Sequence, residues 1–370
     1  MKTNPKTPKL RPPRLDLSLM IDQSWTKRTF VLPHKIMSRI SRRSFLSATS
    51  CGAYVAGLAS LAPAMTRKVF AVQEEDKVVA KEKWGRIETI ADDTWAVIST
   101  PFDHKDFTTV CNGGIIRGKD RVVAIESYMN PKGAGWVAAQ AKKLTGKWPT
   151  DIVVTHFHGD HSSGASAYFA DGEKPNLWVT EPTGSNIQRT LKTSNAKLPK
   201  DKRQKYPPTK ELSHKEATEI DLGGRKLKIV PRSGHTTSDV SIELSEPNVI
   251  YCGDLFFNRM VPNYGDAIPA TLNKVVDSMK SDKETIYVPG HGPVANNKDF
   301  AFYREFLTSV ENKAKGFFDA GITKEKAAKE FKLDKKFEDW YIFSPAVIPR
   351  AMNAWYKEFD QLKKQKQDRQ

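Results

Sequence analysis

The sequence predicts an α/β protein with a mixed β-sheet and a helical C-terminal extension. Three observations predict this class. Short apolar runs alternate with segments of helical spacing between residues 72 and 297. Several of the runs are joined by tight turns that contain Gly or Pro, which favours antiparallel hairpins beside any parallel strands. Residues 298–370 are almost wholly helical in pattern, and we treat them as a separate extension.

The first part of the domain is predicted to begin with hairpins and to continue with alternating strands and helices. Gly118 marks the turn of one hairpin, and Gly146 is placed to end a helix. The predicted strands are residues 94–99, 108–116, 121–125, 151–155 and 176–180, and the predicted helices are residues 134–144, 163–170 and 181–192.

The second part begins with a polar segment, residues 193–217, which is rich in Lys and Pro and is predicted to be a long loop. Gly223-Gly224 and Glu246-Pro247 are predicted hairpin turns. The predicted strands are residues 226–230, 239–244, 248–252 and 285–289, and the predicted helices are residues 271–280, 301–320, 323–331 and 349–364.

The N-terminal region is predicted to lie outside the folded domain. Residues 1–36 are rich in Pro and Lys and are predicted to be disordered. Residues 37–71 resemble a twin-arginine export signal, because Arg42-Arg43 precede Phe-Leu and a run of small, weakly apolar residues. A basic linker with an amphipathic anchor is the alternative. Translation starting at Met1, Met20 or Met37 and cleavage after Ala64 or Ala71 all fit the pattern.

The basic composition does not by itself indicate a nucleic-acid partner. The formal net charge is +16, but more than half of the excess lies in the first 64 residues, where the export signal explains it. The basic end of the chain is typical of a solvated helix tail. We therefore expect no nucleic-acid partner. We expect a periplasmic or otherwise exported protein, with the twin-arginine machinery as a partner and membrane contact only transiently, through the signal segment.

A cluster of metal-binding side chains follows the predicted strand at residues 151–155. Residues 155–161 read Thr-His-Phe-His-Gly-Asp-His, in a chain with eight histidines. His156 and His158 alternate by two at a strand end, so both side chains can reach one ion. Asp160 and His161 follow in a turn and can face a second ion. Imidazole and carboxylate are the ligands that zinc and similar divalent ions prefer.

Three further residues of the same chemical type follow later strands. His235 lies in Ser-Gly-His-Thr, Asp254 in Cys-Gly-Asp, and His291 in Pro-Gly-His-Gly. Each stands at the carboxyl end of a predicted strand, where open α/β sheets collect their sites. A lone histidine is usually structural, but the complete set in this order predicts a metal site.

The order of these motifs resembles that of metallo-β-lactamase-fold hydrolases over roughly residues 85–297. The resemblance implies an αββα sandwich with metals at one edge. It also implies the following ligand sets: His156, His158 and His235 for the first ion, Asp160, His161 and His291 for the second, and Asp254 as a bridge. Many family members have Asp-Thr-Gly where this chain has Glu126-Ser-Tyr. We expect that difference to affect only the residues that support the ligands.

The resemblance implies a dinuclear hydrolase with two Zn²⁺ per chain, iron or manganese being alternatives, and the twin-arginine segment predicts that this hydrolase is exported. A water shared by the ions, with its pKa lowered toward neutrality, would attack an ester, thioester, lactone or similar bond in a small-molecule substrate. Asp160 would orient this water as well as bind metal. Asp254 stands where antibiotic-degrading relatives usually have Cys or Ser, which favours the branches that include hydroxyacylglutathione hydrolases.

Other functions and other site residues stay open at this point. The alternatives are β-lactamase activity, an iron-dependent sulfur or redox enzyme of the same fold, and a periplasmic metal protein without turnover. The segment after Asp254 is predicted to form a pocket wall, with Asn258 and Tyr264 as candidate oxyanion donors or as packing residues. Cys252 is a weak candidate ligand, since a buried cysteine is usually an apolar filler.

Overall fold

Two β-sheets, packed face to face, form the centre of the molecule. The computed structural model describes residues 77–99 and 106–368. The strands are β1 Val78–Glu82, β2 Gly85–Ala91, β3 Thr94–Ser99, β4 Gly113–Arg117, β5 Val122–Ile125, β6 Asp151–Val153, β7 Asn176–Thr180, β8 Lys210–Leu212, β9 Thr218–Asp221, β10 Lys226–Arg232, β11 Asp239–Ser245, β12 Asn248–Phe257 and β13 Ile286–His291. The helices are α1 Pro131–Thr145, α2 Gly159–Ser162, α3 Glu181–Asn195, α4 Pro269–Ser278, α5 Asn297–Asp319, α6 Lys324–Glu330 and α7 Val347–Gln367.

Both sheets are mixed, as the hairpin turns predicted. The first sheet has the order β1 to β8, antiparallel up to β5 and parallel from β5 to β8. The second has the order β13-β12-β11-β10-β9, and only the β12–β13 pair is parallel. The predicted hairpins at Gly223-Gly224 and Glu246-Pro247 join β9 to β10 and β11 to β12, as predicted.

Three apolar layers lie between the sheets and the helices. Each strand contributes alternate side chains to the layers on its two faces. On β3, Trp95 and Val97 face α1, whereas Ala96 and Ile98 face the second sheet. On β12, Tyr251 packs between the sheets and Ile250 packs against the C-terminal helices. This period of two follows from strand geometry. The αββα sandwich is therefore confirmed.

The C-terminal helices cover the outer face of the second sheet. Their layer is rich in aromatic rings, such as the stacked pair Phe306 and Trp340 with centroids 4.4 Å apart, and Trp355 is 1% exposed. The extension also holds the segment after β12, since Arg350 donates to the Asn263 side chain at 3.1 Å. Among the helices of the described residues, none is long and apolar enough to span a membrane.

Some element boundaries differ from the prediction. Residues 108–112 are not a strand, because the Thr109 hydroxyl donates to the Trp84 carbonyl and Val110 takes a φ of +70°. Residues 163–170, predicted to be helical, are instead a turn that leads into a 3₁₀ segment, Ala165–Gly172, and the single helical turn α2 precedes them. The long polar segment contains the short strand β8.

Strands β1 and β2 precede the predicted start of the sheet. The alternation of apolar and polar residues in β2 is too weak to predict a strand. Among the described residues of β2, Ile87 is the one aliphatic side chain that is fully buried. The proposed disordered extension, export signal and cleavage sites all lie in residues 1–71, outside the described residues.

Candidate metal centre

Seven side chains from five parts of the chain meet at one edge of the sandwich. His156 and His158 follow β6, and Asp160 and His161 lie on α2. His235 follows β10, and the remaining two ligands stand on the neighbouring parallel strands β12 and β13. The structure thus brings together all of the predicted ligands: His156, His158, Asp160, His161, His235, Asp254 and His291.

The first group consists of three histidines and Asp254. The Nδ1 atom of His158 lies 3.1 Å from His156 Nε2 and 3.0 Å from His235 Nε2. Asp254 Oδ2 lies 3.2 Å from His235 Nε2. The ligand atoms of this group all lie within 4.8 Å of one another, which is near enough for these residues to hold one cation together.

The second group consists of Asp160, His161 and His291. The Nε2 atom of His291 lies 3.4 Å from Asp160 Oδ2. Asp254 reaches this group with its other oxygen, since Oδ1 lies 3.1 Å from His161 Nε2 and 3.3 Å from His291 Nε2. The two oxygens of Asp254 therefore face the two groups, as a bridging ligand would.

The atoms at the centre of the cluster fit cations better than they fit each other. His161 Nε2 and Asp254 Oδ1 are buried and only 3.1 Å apart, yet neither has a hydrogen-bond partner of acceptable geometry. Buried polar groups without partners are costly. A divalent ion shared by such atoms would satisfy both, and a donor set of imidazoles and carboxylates suits zinc, iron or manganese.

Comparison with known proteins agrees with this geometry. Residues 108–291 match the metallo-beta-lactamase superfamily. That span includes every ligand of both groups. Over residues 108–291 the chain is therefore similar to the metallo-β-lactamase superfamily.

The individual proteins that this chain resembles are distant. The hydroxyacylglutathione hydrolase of Francisella tularensis subsp. holarctica is 27% identical over 154 residues, which is 40% of this chain and 52% of that protein. A beta-lactamase-like protein 2 homolog of Caenorhabditis elegans is 27% identical over 149 residues, 39% of this chain and 42% of that protein. The chain thus spans about half the length of the curated relatives that it matches.

A solved structure extends the likeness in fold beyond the matched domain. The sec-alkylsulfatase Pisa1 from Pseudomonas sp. superposes with a TM-score of 0.54 at 15% identity. The superposition covers 74% of this chain and 50% of the sulfatase. At this identity the likeness is one of fold alone.

The charges within the candidate metal centre are strongly coupled. Burial opposes the ionisation of Asp254, but attraction to His161, His291 and His235 outweighs it and leaves the pKa of Asp254 well below its usual range. Burial also opposes the ionisation of Asp160, yet attraction to His161 and a hydrogen bond from His291 lower its pKa to about 2. Both carboxylates are therefore ionised at neutral pH and able to bind a cation.

Two histidines of the first group have depressed pKa values. Burial, with added repulsion from His161 and His158, holds the pKa of His156 well below its ordinary value. Burial lowers the pKa of His235 to about 3, despite attraction to Asp254. Their rings are neutral at pH 7, which is the form that donates a lone pair to a metal.

Hydrogen bonds on the far side of each ring fix the orientation of three ligands. The Nδ1 atom of His156 lies 3.0 Å from the Thr155 hydroxyl. The Nε2 atom of His158 lies 2.8 Å from Asp266 Oδ2, and His161 Nδ1 lies 2.9 Å from Glu126 Oε1. Such contacts set the tautomer of a ligand histidine. In each case the opposite nitrogen faces the other ligands.

Two of these supporting residues were missed by the sequence prediction. Asp266 lies in the segment after β12, with no motif around it, and sequence reasoning had no signal for it. Glu126 was noted only as a departure from the family pattern. Its position directly after β5, next to the strand that leads into the ligand loop, was the signal that could have revealed it.

Glycines at two positions let the backbone pack against the ligands. A Cβ atom on Gly290 would lie 2.1 Å from Asp254 Oδ1. Gly253 has a φ of +52°, and a Cβ there would lie 2.7 Å from the Thr155 hydroxyl oxygen. Side chains at either position would displace the Asp254 carboxylate or the threonine that contacts His156.

The other three candidate residues, Asn258, Tyr264 and Cys252, lie at the edges of the site or outside it. The Asn258 side chain donates to the Pro293 carbonyl at 3.0 Å, so its amide holds the turn after β13. Tyr264 is 1% exposed and belongs to the apolar layer under the C-terminal helices. Cys252 lies in the same layer, and its thiol contacts the Ile250 carbonyl rather than the metal cluster.

A cleft of about 560 Å³ borders the loop that carries the first ligands. Phe157 and Gly159 of that loop line the cleft, although the ligand side chains themselves do not. The opposite wall comes from α3 and the polar segment after it, including Ile187, Leu191 and Lys205. The cleft therefore offers both apolar and polar surface, and two of its lining residues, Phe157 and Gly159, are adjacent in sequence to metal ligands.

Proposed function

We propose that the protein is a metal-dependent hydrolase that uses two divalent ions, with zinc preferred. The observation that carries the proposal is Asp254, whose two oxygens face two separate groups of ligand atoms. The superfamily match over residues 108–291 supports the same reaction class. Two ions held in this way supply a water of lowered pKa and a Lewis acid for the oxygen of the scissile bond.

The two ligand carboxylates, Asp160 and Asp254, have different roles in this proposal. Asp160 is the more exposed of the two ligand carboxylates, at 25% of its side chain against 4% for Asp254. Its solvent-facing oxygen can accept a hydrogen bond from an attacking water and hold it toward the substrate. The buried Asp254 keeps the two ligand groups together, and the supported histidines keep the cluster rigid.

We infer that the substrate is a small molecule with an ester, thioester or lactone bond. Asp254 as the bridging residue supports this class, and so does the distant likeness to hydroxyacylglutathione hydrolases. The cleft beside Phe157 and Gly159 suits a group remote from the scissile bond, with Lys205 at its wall favouring a polar or anionic group.

Metal analysis and a substrate panel test the function. The purified protein is assayed for bound metal and for hydrolysis of thioesters, lactones, phosphodiesters and β-lactams. We expect two zinc ions per chain and thioester or lactone hydrolysis. His158→Ala should abolish both first-ion binding and turnover, whereas His214→Ala, at an exposed position, should change neither. Iron with oxygen consumption, or a fully active His158→Ala protein, would contradict the proposal.

We also propose that residues 37–71 direct export of the folded protein through the twin-arginine route. The support is the Arg42-Arg43 motif followed by a small, weakly apolar run. Residues 1–75 fused to a reporter that fluoresces only when folded before export should deliver it outside the cytoplasm. Arg42→Lys/Arg43→Lys is the matched control and should block delivery. Delivery unaffected by that change would exclude the route.

A further inference from the structure

One buried carboxylate beside the metal centre has no role in the reaction described above. Glu126 is 1% exposed and adopts a φ of +76° directly after β5. A non-glycine residue in this conformation is strained and persists only where its surroundings hold it. The contacts of its two oxygens show what holds it.

The first contact is Thr155, which lies directly before the ligand loop. The threonine hydroxyl lies 2.5 Å from Glu126 Oε1, and the threonine backbone N–H donates to Oε2 at 3.2 Å. The same hydroxyl lies 3.0 Å from His156 Nδ1. Glu126 thus reaches His156, a ligand of the first group, through one intervening hydroxyl.

The second contact is direct. Glu126 Oε1 lies 2.9 Å from Nδ1 of His161, a ligand of the second group. The opposite nitrogen of His161 faces Asp254 Oδ1 at 3.1 Å. Oε1 of Glu126 therefore contacts both Thr155, which supports the first ion site, and His161, which is a ligand of the second.

The hydrogen positions follow from these contacts. The rings of His156 and His161 face the other ligands with Nε2 and must keep its lone pair for metal, so Nδ1 carries the proton in both. His156 then donates to the Thr155 hydroxyl, which must donate its own hydrogen to Glu126. His161 donates to Glu126 directly. An ionised carboxylate can accept from both, because it has no hydrogen of its own to place.

We propose that Glu126 is a positioning residue shared by the two metal sites, whereas Thr155 serves the first site only. Loss of Glu126 therefore weakens both ions together, and loss of the Thr155 hydroxyl weakens one. The proposal rests on the two-ion site of the proposed function but not on its reaction, since metal binding is measured without any substrate.

The experiment is a titration of the metal-free full-length protein with Zn²⁺ and, separately, with Co²⁺. Calorimetry gives the affinities, and the Co²⁺ visible spectrum reports the geometry at each site. The variants are Glu126→Gln, which keeps the shape but removes the charge, Thr155→Val, which removes the hydroxyl, and Thr155→Ser, which restores it. His235→Ala and His291→Ala assign the binding steps to the first and second ion.

Loss of a partner behind a ligand histidine lowers metal affinity by about 10–100-fold. We expect Glu126→Gln to lower the affinity of both sites by this factor, with both Co²⁺ signatures altered. Thr155→Val should lower only the first, leaving the second within about twofold, and Thr155→Ser should keep both within about twofold of the starting protein.

Three results would overturn the proposal: Glu126→Gln weakening one site only, Thr155→Val weakening both sites equally, or Thr155→Ser acting like Thr155→Val. If Glu126→Gln does not fold, ¹⁵N-histidine NMR of the zinc-loaded unmodified protein decides. It should show Nδ1 protonated in both His156 and His161, and an Nε2-protonated tautomer at either would refute the shared role. Normal zinc titrations in a protein without hydrolase activity would contradict the proposed function and leave this inference standing.

Discussion

The metal edge and the C-terminal helical layer are built on the same strand, β12, by opposite means. Asp254 of β12 places its oxygens 3.1, 3.2 and 3.3 Å from ring nitrogens of His161, His235 and His291. Ile250, earlier on the same strand, is fixed by apolar packing under the helices. The edge depends on single atoms at defined distances. The helical layer depends on buried volume.

This difference predicts how each region fails. A lost polar atom at the edge leaves buried partners unsatisfied and removes a ligand, although little area changes. A lost ring in the helical layer leaves a cavity, although no chemistry changes. Function and stability should therefore separate between the two regions.

Asp254→Asn should show the largest effect and should act on function. The amide would keep the volume but lose the charge that faces both ligand groups. Losing metal stabilisation of several kcal/mol corresponds to a fall of roughly 10³-fold or more in kcat/KM. Steady-state kinetics and metal content measure this loss. A variant that keeps two ions and ordinary turnover would show that the carboxylate does not bridge.

Trp355→Ala should show the next largest effect and should act on stability. Trp355 is 1% exposed and stacks on Phe359 with centroids 5.4 Å apart. Removing such a ring from a packed layer costs about 3–5 kcal/mol. Urea unfolding measures this cost, and zinc per folded chain should stay unchanged. A loss of zinc from the folded variant would show that the two regions are not independent.

Asp266→Ala should show a smaller effect, confined to the first ion. Asp266 is exposed but contacts the ring of His158 at 2.8 Å on the side away from the other ligands. Loss of this partner should lower first-ion affinity by about 10–100-fold. Chelator competition measures it, with Asp282→Ala as an exposed acidic control. Equal weakening of both ions would mean that Asp266 acts on the whole cluster.

Cys252→Ala should show the smallest effect. Burial raises the pKa of its thiol well above the ordinary value, and the side chain lies in the apolar layer rather than at the metals. We expect about 1 kcal/mol of lost stability, within the usual range for a single substitution, and unchanged zinc binding and kinetics. Altered metal affinity would place the thiol nearer to the ligands than the structure does.

The ligand motifs were readable from the sequence because metal chemistry restricts their residue types. The direction in which the Cys252 side chain points could not be predicted from the sequence. Strand alternation alone would turn it the same way as Asp254, but Gly253 adopts a φ of +52° and the pairing with β13 shifts register there. The chain turns at Gly253, so the thiol faces the helices and the Asp254 carboxylate faces the candidate metal-binding histidines.

Two further features could not be predicted from the sequence. One is the set of side chains that hydrogen-bond to the ligand histidines, and the other is the surface that the helical extension covers. Asp266 and His158 are 108 positions apart, and no spacing rule joins them. The amphipathic spacing of 349–364 predicted a helix close to the observed α7. That spacing shows an apolar face but not which surface it covers, which here is the outer face of the second sheet.

Strand β12 has a consequence for the motions of the site. Over Asn248–Tyr251 it pairs with β11 on one side, and from Val249 it pairs with β13 on the other; nine of its ten residues are buried. Amide protons in a strand paired on both sides exchange only when a large part of the domain opens. Asp254 therefore continues a strand whose first half should exchange with deuterium among the slowest of the described residues. Asp160, on the single turn α2, should sit on backbone that exchanges sooner, so one wall of the reaction site can adjust while the other stays fixed.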